Sequence, residues 1–261
     1  MRIGVVHMTT AESSVGYRDM IETNLERVKA PGSELDHRYV KHLRRATDSA
    51  KSFPMMLNQS DIVAEVIALA RDGADAVLIA CSGDPAVAEA RSAVSIPVVG
   101  PMEAGIGLAL GYGWKFGLVT VQDRTWSTHL DQIVHAYRCE PRYVGMRKMH
   151  TPTREIFTRG FDEPSFVVAD LVARTGELVD DGADVVLIGS GGLCTFASYN
   201  GVSRLDSLDV PIIDTVAVGL KFAEMRASLT TSLGIPAVSR AGWYERFDDD
   251  DVDRVTRLFS V

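Results

Sequence analysis

Two stretches of this chain carry the same order of hydrophobic and polar positions. Asp72-Gly-Ala-Asp-Ala-Val-Leu-Ile-Ala-Cys81-Ser-Gly-Asp-Pro85 returns as Asp181-Gly-Ala-Asp-Val-Val-Leu-Ile-Gly-Ser190-Gly-Gly-Leu-Cys194. Each reads as a turn, a short continuous apolar run and then small polar residues, the pattern of a parallel strand buried on both faces. Cys81 and Ser190 stand at the same place in the two copies. The repeat continues into a second proline-initiated apolar strand, Pro97-Val-Val-Gly100 and Pro211-Ile-Ile-Asp214, each followed by a helix-like stretch. Common doubly wound turns could imitate part of this, but a matched pair of strand-turn-strand units with the Cys/Ser position in register favours an internal duplication.

The same patterning predicts the other elements. Arg2 to His7 is a first strand, Gly16 to Ala30 a helix with Tyr17, Met20, Ile21, Leu25 and Val28 on its apolar face, and Ser33 to Val40 a weaker strand. Ser60-Asp61 is expected to cap a helix with Ile62, Val63, Val66, Ile67 and Leu69 inward. A helix runs through Leu110, and Lys115 to Val121 mirrors the first strand. Trp126 to Tyr137 reads as a helix, Tyr143 to Met146 as a strand, and Phe166 to Val179 and Ala217 to Leu229 as helices. Asp248 to Asp251 precede Val252, Val255, Leu258 and Phe259 and suit a helix N-terminus, where negative charge meets the positive end of the dipole. Strands alternating with helices of this length predict an α/β architecture of parallel sheets. The expected organisation is two similar Rossmann-like domains, 1–110 completed by helices in 220–261, and 111–219.

Length and composition narrow the chemistry. A chain of 261 residues with 46% hydrophobic content can bury a sizeable core. Its net charge of −8 and lack of a basic stripe argue against a nucleic-acid surface. No apolar run approaches membrane-spanning length and the first strand begins at Arg2, so a cytoplasmic protein without membrane attachment is expected. The three cysteines, Cys81, Cys139 and Cys194, have neither CxxC spacing nor an even count, which points away from a disulfide framework or a zinc site. Gly189-Ser-Gly-Gly-Leu-Cys194 has Cys194 where a dinucleotide loop needs its third glycine. Neither Ser82 nor Ser190 stands in the G-x-S-x-G frame of a serine-hydrolase elbow.

With these residues in view, the sequence resembles the aspartate/glutamate racemase superfamily, and within it the hydantoin and allantoin racemase branch. The resemblance is carried by Ala80-Cys81-Ser-Gly83-Asp84-Pro85, by Pro97-Val-Val-Gly100 with Glu103-Ala104, and by Lys115-Phe-Gly-Leu-Val-Thr120. Pro211-Ile-Ile-Asp214 with Ala217, and Ser239-Arg240 with Tyr244, continue it toward the end of the chain. It implies two α/β domains related by a pseudo-two-fold axis, an active site between them and no cofactor. Two departures stand out. Ser190 occupies the position of the family's second cysteine, and His7-Met8-Thr9-Thr10 replaces an Asn-Pro-Asn-Thr type element.

Racemisation without a cofactor needs a base on one face of an acidic carbon and an acid on the other, and a cysteine pair can serve as both. Cys81, at a strand end just before a helix expected near Asp84-Pro85, is the candidate base or nucleophile, with a thiol pKa lowered by that helix. Ser190 is expected to hold the opposite face, with Cys194, four residues on, as an alternative second thiol. His7, Thr9, Thr10, Ser82, Gly83, Thr120, Gly191 and Gly192 are the candidate substrate-binding groups, through hydroxyls, backbone N–H groups and one imidazole. The expected function is a racemase or isomerase acting on a small carboxylate or hydantoin-like substrate. Alternatives are a one-thiol lyase such as a decarboxylase of a substituted malonate, a cis-trans isomerase, and a catalytically silent metabolite-binding protein. The expected partners are the small-molecule substrate and further copies of the chain.

Overall fold

A computed structural model describes every residue except Ser14, Arg246, Phe247 and 259–261. The first half runs β1 (Arg2–His7), α1 (Val15–Val28), β2 (Glu34–Tyr39), α2 (Ser52–Arg71), β3 (Ala76–Ile79), α3 (Val87–Ala93), β4 (Val98–Val99) and α4 (Pro101–Tyr112). The second runs β5 (Phe116–Thr120), α5 (Arg124–Ala136), β6 (Tyr143–Lys148), α6 (Thr153–Ile156), α7 (Arg159–Asp162), α8 (Ser165–Asp180), β7 (Val185–Ile188) and α9 (Gly191–Tyr199). It continues through β8 (Arg204–Leu205), β9 (Val210–Asp214), α10 (Thr215–Leu233) and α11 (Asp249–Leu258).

The sheets have strand orders β2-β1-β3-β4 and β6-β5-β7-β9-β8. All pairings are parallel except β8 with β9, so the first four strands of each sheet follow one order. The repeated segments form β3 and β7, each four residues long and wholly buried. Both begin after a turn whose glycine, Gly73 at φ 85° or Gly182 at φ 95°, takes the left-handed conformation that a side chain disfavours. Cys81 and Ser190 each fall two residues beyond the strand, in register with one another.

Helices α4 and α10 cross between the halves. α4 follows the first sheet yet packs on β7 and β9, while α10 follows the second sheet and packs on β3 and β4, and the two helices lie against each other. Small residues permit this approach. A Cβ on Gly105 of α4 would lie 2.7 Å from Thr215 and 3.8 Å from Leu187, and one on Gly219 of α10 would lie 2.7 Å from Leu78. Gly105 follows Gly100 by the same five positions that separate Gly219 from Asp214, and Leu78 and Leu187 are matched positions of β3 and β7.

One local expectation needs correction. Helix α2 begins at Ser52, eight residues before the expected cap, with Pro54 accommodated in its first turn, where a missing N–H costs no hydrogen bond. Asp61 therefore lies inside the helix, and its carboxylate accepts the N–H groups of Lys41 and His42, each at 3.1 Å. Asp248 does cap the last helix, accepting the Asp251 N–H at 2.9 Å, with Asp249 to Asp251 in the first turn. Phe259 lies outside the described residues.

Candidate active site

The two repeated loops meet where the strands end. The point at which a Cβ on Gly191 would stand is 3.7 Å from the Ala80 carbonyl, so the backbone beside Ser190 lies near the backbone beside Cys81. Elements of the second half hold the Cys81 loop. The Trp126 ring lies over Gly83, within 2.7 Å of where a Cβ would be, and His129 Nε2 is 3.0 Å from the Gly83 carbonyl. Ser82, wholly buried, shares a 3.1 Å hydrogen bond with Thr215, the first residue of α10.

Asp84 fixes the other side of this loop. Its carboxylate accepts the Met102 and Glu103 N–H groups at 2.8 and 2.7 Å, capping α4 from outside that helix, and accepts the Tyr137 hydroxyl at 2.9 Å. A Cβ at Gly100 would lie 2.5 Å from that carboxyl, which is why this position holds glycine. In the other half Asp214, at the position matching Gly100, caps its own helix through the Val216 and Ala217 N–H groups, both at 2.9 Å. The cap has moved between loops while the helix start has stayed.

Cys81 is 6% exposed. Burial pushes its thiol up to about 12, with the Gly83 N–H opposing and the Asp84 charge adding. This overturns the expected depressed thiol. The following helix starts only at Val87 and is one of the shortest in the fold, so its N-terminus does not offset the desolvation. Burial likewise holds the Asp84 carboxyl at about 6, against the two N–H groups and the Tyr137 hydroxyl that favour its charge. A surface depression between α4, α10 and β9 includes neither Cys81 nor Ser190.

Ser190 is the N-cap of α9, its hydroxyl oxygen accepting the Leu193 N–H at 3.4 Å. Gly191 and Gly192 form the first turn, with the Phe157 ring against Gly192 where a Cβ would point. Cys194 lies one turn on, but it faces the core rather than the junction. It is fully buried, and its thiol donates to the Ile188 carbonyl at 3.3 Å and contacts the Thr215 hydroxyl at 3.4 Å. Burial raises its pKa as well, and the expectation of a second reactive thiol does not fit this setting.

The remaining expected groups divide. Thr120 is wholly buried and donates to the Gly189 carbonyl at 2.8 Å, which also accepts the Trp126 indole N–H at 2.7 Å. It joins the ends of β5 and β7. The His7 ring turns toward β2, with Nε2 at 2.8 Å from His37 Nδ1 and its plane stacked on Tyr39 at 4.5 Å. Thr9 is half-buried in the loop after β1, and Thr10 is tied there by its N–H to the Leu43 carbonyl at 2.8 Å. Sequence reasoning missed Tyr17, assigned above to an apolar helix face. Its phenol oxygen is 3.6 Å from where a Cβ on Gly191 would stand.

Comparison with known proteins adds to this geometry. A hydantoin racemase of Pseudomonas sp. (strain NS671) is 32% identical over 165 residues, covering 62% of this chain and 62% of that relative's own length. One from Paenarthrobacter aurescens is 27% identical over 68% of this chain and 72% of its own. Among solved structures, an allantoin racemase from Klebsiella pneumoniae shares the fold, with a TM-score of 0.78 and 23% identity over 95% of this chain and 94% of its own. Residues 3–223 match the Asp/Glu/Hydantoin racemase family, and the chain belongs to that family.

Proposed function

We propose that this protein is a cofactor-independent racemase of 5-substituted hydantoin-like compounds, with Cys81 as the base that removes the proton from the acidic ring carbon. The observation that carries this reading is the meeting of the Cys81 and Ser190 strand ends at one junction, one thiol and one hydroxyl in matched positions. The Cys81 thiolate takes the carbon-bound proton and becomes a thiol. The electron pair of the broken C–H bond moves onto the adjacent carbonyl oxygen. A solvent proton relayed through the Ser190 hydroxyl to the opposite face completes inversion, Cys81 then releasing its proton to solvent, and return of the Cys81 proton to the same face restores the starting enantiomer. Hydantoin suits a thiol base because its ring carbon adjoins an uncharged imide carbonyl where a free amino acid has a carboxylate, which makes it far more acidic.

The thiol must first ionise. Burial pushes the Cys81 thiol up to about 12, so only a small fraction of molecules carries the thiolate at pH 8. Activity should therefore climb with pH, kcat/KM rising close to tenfold per unit from pH 7 to 9. A plateau reached by pH 7 would assign the base to another group. The chain's own residues supply these groups, so prolonged EDTA treatment should leave turnover unchanged; loss restored by one added metal would contradict the proposal.

A second reading is favoured by one observation, the lack of a thiol at Ser190. With Cys81 as sole proton donor, the same enolate-like intermediate could arise by loss of carbon dioxide from a substituted malonate and be protonated from one side. Incubation with a prochiral aryl malonate separates the two, since the lyase releases carbon dioxide and forms one enantiomer of the product.

A further inference from the structure

We propose that Tyr17 is the hydrogen-bond donor to the oxyanion that develops on the substrate carbonyl, a role that deepens the racemase reading and rests on it. Helix α1 belongs to the first half but is fastened to α9 of the second. The Asn24 side chain donates to the Thr195 carbonyl at 2.7 Å, and Arg27 donates to the Ser198 carbonyl at 2.7 Å. Tyr17, two turns before Asn24 and so on the same helix face, is carried by this joint to the loop beginning at Ser190.

Its surroundings suit a donor. The phenol oxygen approaches the Gly191 backbone from the side where the Ala80 carbonyl also stands, 3.6 and 3.7 Å respectively from the same Cβ point. It therefore lies beside the contact between the two loops, within electrostatic reach of Cys81. The ring meets Phe157 edge-on, with centroids 6.5 Å apart, and Phe157 covers Gly192. The buried Thr195 side chain neighbours the phenol, and the phenol hydroxyl is not given to any backbone carbonyl or carboxylate among the described residues.

The other half provides a contrast. Trp126 covers Gly83 much as Tyr17 covers Gly191, but its N–H is already given to the Gly189 carbonyl. Among the aromatic side chains beside the two loops, Tyr17 is the one whose donor is not already committed to a backbone carbonyl. Burial, with Cys81, Cys194 and Asp214 nearby, pushes the phenol pKa up, so it stays neutral and serves as a donor rather than a base. In the reaction the C–H bond breaks, the proton goes to Cys81, and the electron pair goes to the carbonyl oxygen. Tyr17 donates to that oxygen and keeps its proton.

The experiment follows loss of the C5–H signal of each enantiomer of 5-benzylhydantoin in deuterium oxide, with the full chain and its variants, after subtraction of the uncatalysed rate. Tyr17→Phe should lower kcat about 100-fold, the usual consequence of deleting one oxyanion donor. KM should change much less, and the melting temperature should stay within a few degrees of wild type. Thr195→Val, which keeps the phenol but removes the group orienting it, should lower kcat about tenfold by the same reasoning and provides the readout if Tyr17→Phe does not fold. Exchange within twofold of wild type in either folded variant, with Cys81→Ser inactive, would overturn the role of Tyr17 alone. Equal exchange by wild type and Cys81→Ser, or none by wild type, would overturn the racemase reading and this inference with it.

Discussion

A thiol enclosed as Cys81 is, beside the Asp84 carboxyl, gives up its proton reluctantly, and this fixes what substitutions around it should do. Cys81→Ser should lower turnover by several powers of ten with little loss of stability, because a hydroxyl fits the space but is a far weaker acid. Ser190→Cys would give the opposite face a thiol in place of a hydroxyl and should increase exchange from the slower enantiomer. Unchanged enantiomer preference would mean that Ser190 does not face the reacting carbon. His7 makes a different prediction. Burial first, and then the His37 ring, hold its imidazole at about 3, below the ordinary 6.5. The folded protein thus binds fewer protons here than the unfolded chain, so this contribution to stability is complete above pH 6.5 and is lost as pH falls toward 3. Asp84, raised to about 6, changes stability in the other sense between its unfolded value and pH 6, so the comparison must be made within a pair. The melting temperature of wild type should fall more between pH 7 and 5 than that of His7→Gln; equal falls would contradict the assignment. The Cys81 and Ser190 positions were legible because the sequence repeats them. The direction of His7 was not, since a strand's last side chain can turn to either face and only the edge strand, with His37 and Tyr39, decides which.

At the scale of elements, the crossing of α4 and α10 is what sets the two loops against each other. Gly219 admits Leu78 at 2.7 Å and the Pro101 Cα at 3.3 Å from its missing Cβ. Gly219→Val should cost about 2 kcal/mol through overpacking and lower activity as well, because α10 begins at Thr215, the partner of Ser82. Chemical denaturation measures the first effect, and no loss of stability would mean that the helices can separate without consequence. The continuous apolar runs and the period-3.6 pattern made most strands and helices readable. They failed at the start of α2, where Phe53 and Met56 are exposed and leave no inward stripe to read. They failed also for Tyr17, whose spacing fits an apolar face although its hydroxyl reaches the neighbouring half. Glycines at 105 and 219 were visible as letters, but their meaning depends on which sheet each helix crosses, and that is a tertiary property.

At the scale of the whole molecule, the halves share a strand order and exchange helices, and one junction holds one thiol. On the proposed racemase reading, proton transfer at carbon uses both loops at once and so depends on the pair and not on either half. The measurement that tests it most directly is solvent-deuterium incorporation at C5 of each separate enantiomer of 5-benzylhydantoin, followed by proton NMR together with optical rotation. The account predicts incorporation and loss of rotation from both enantiomers with wild type, and neither with Cys81→Ser. Incorporation at the same rate in that variant, or none in wild type, would contradict it.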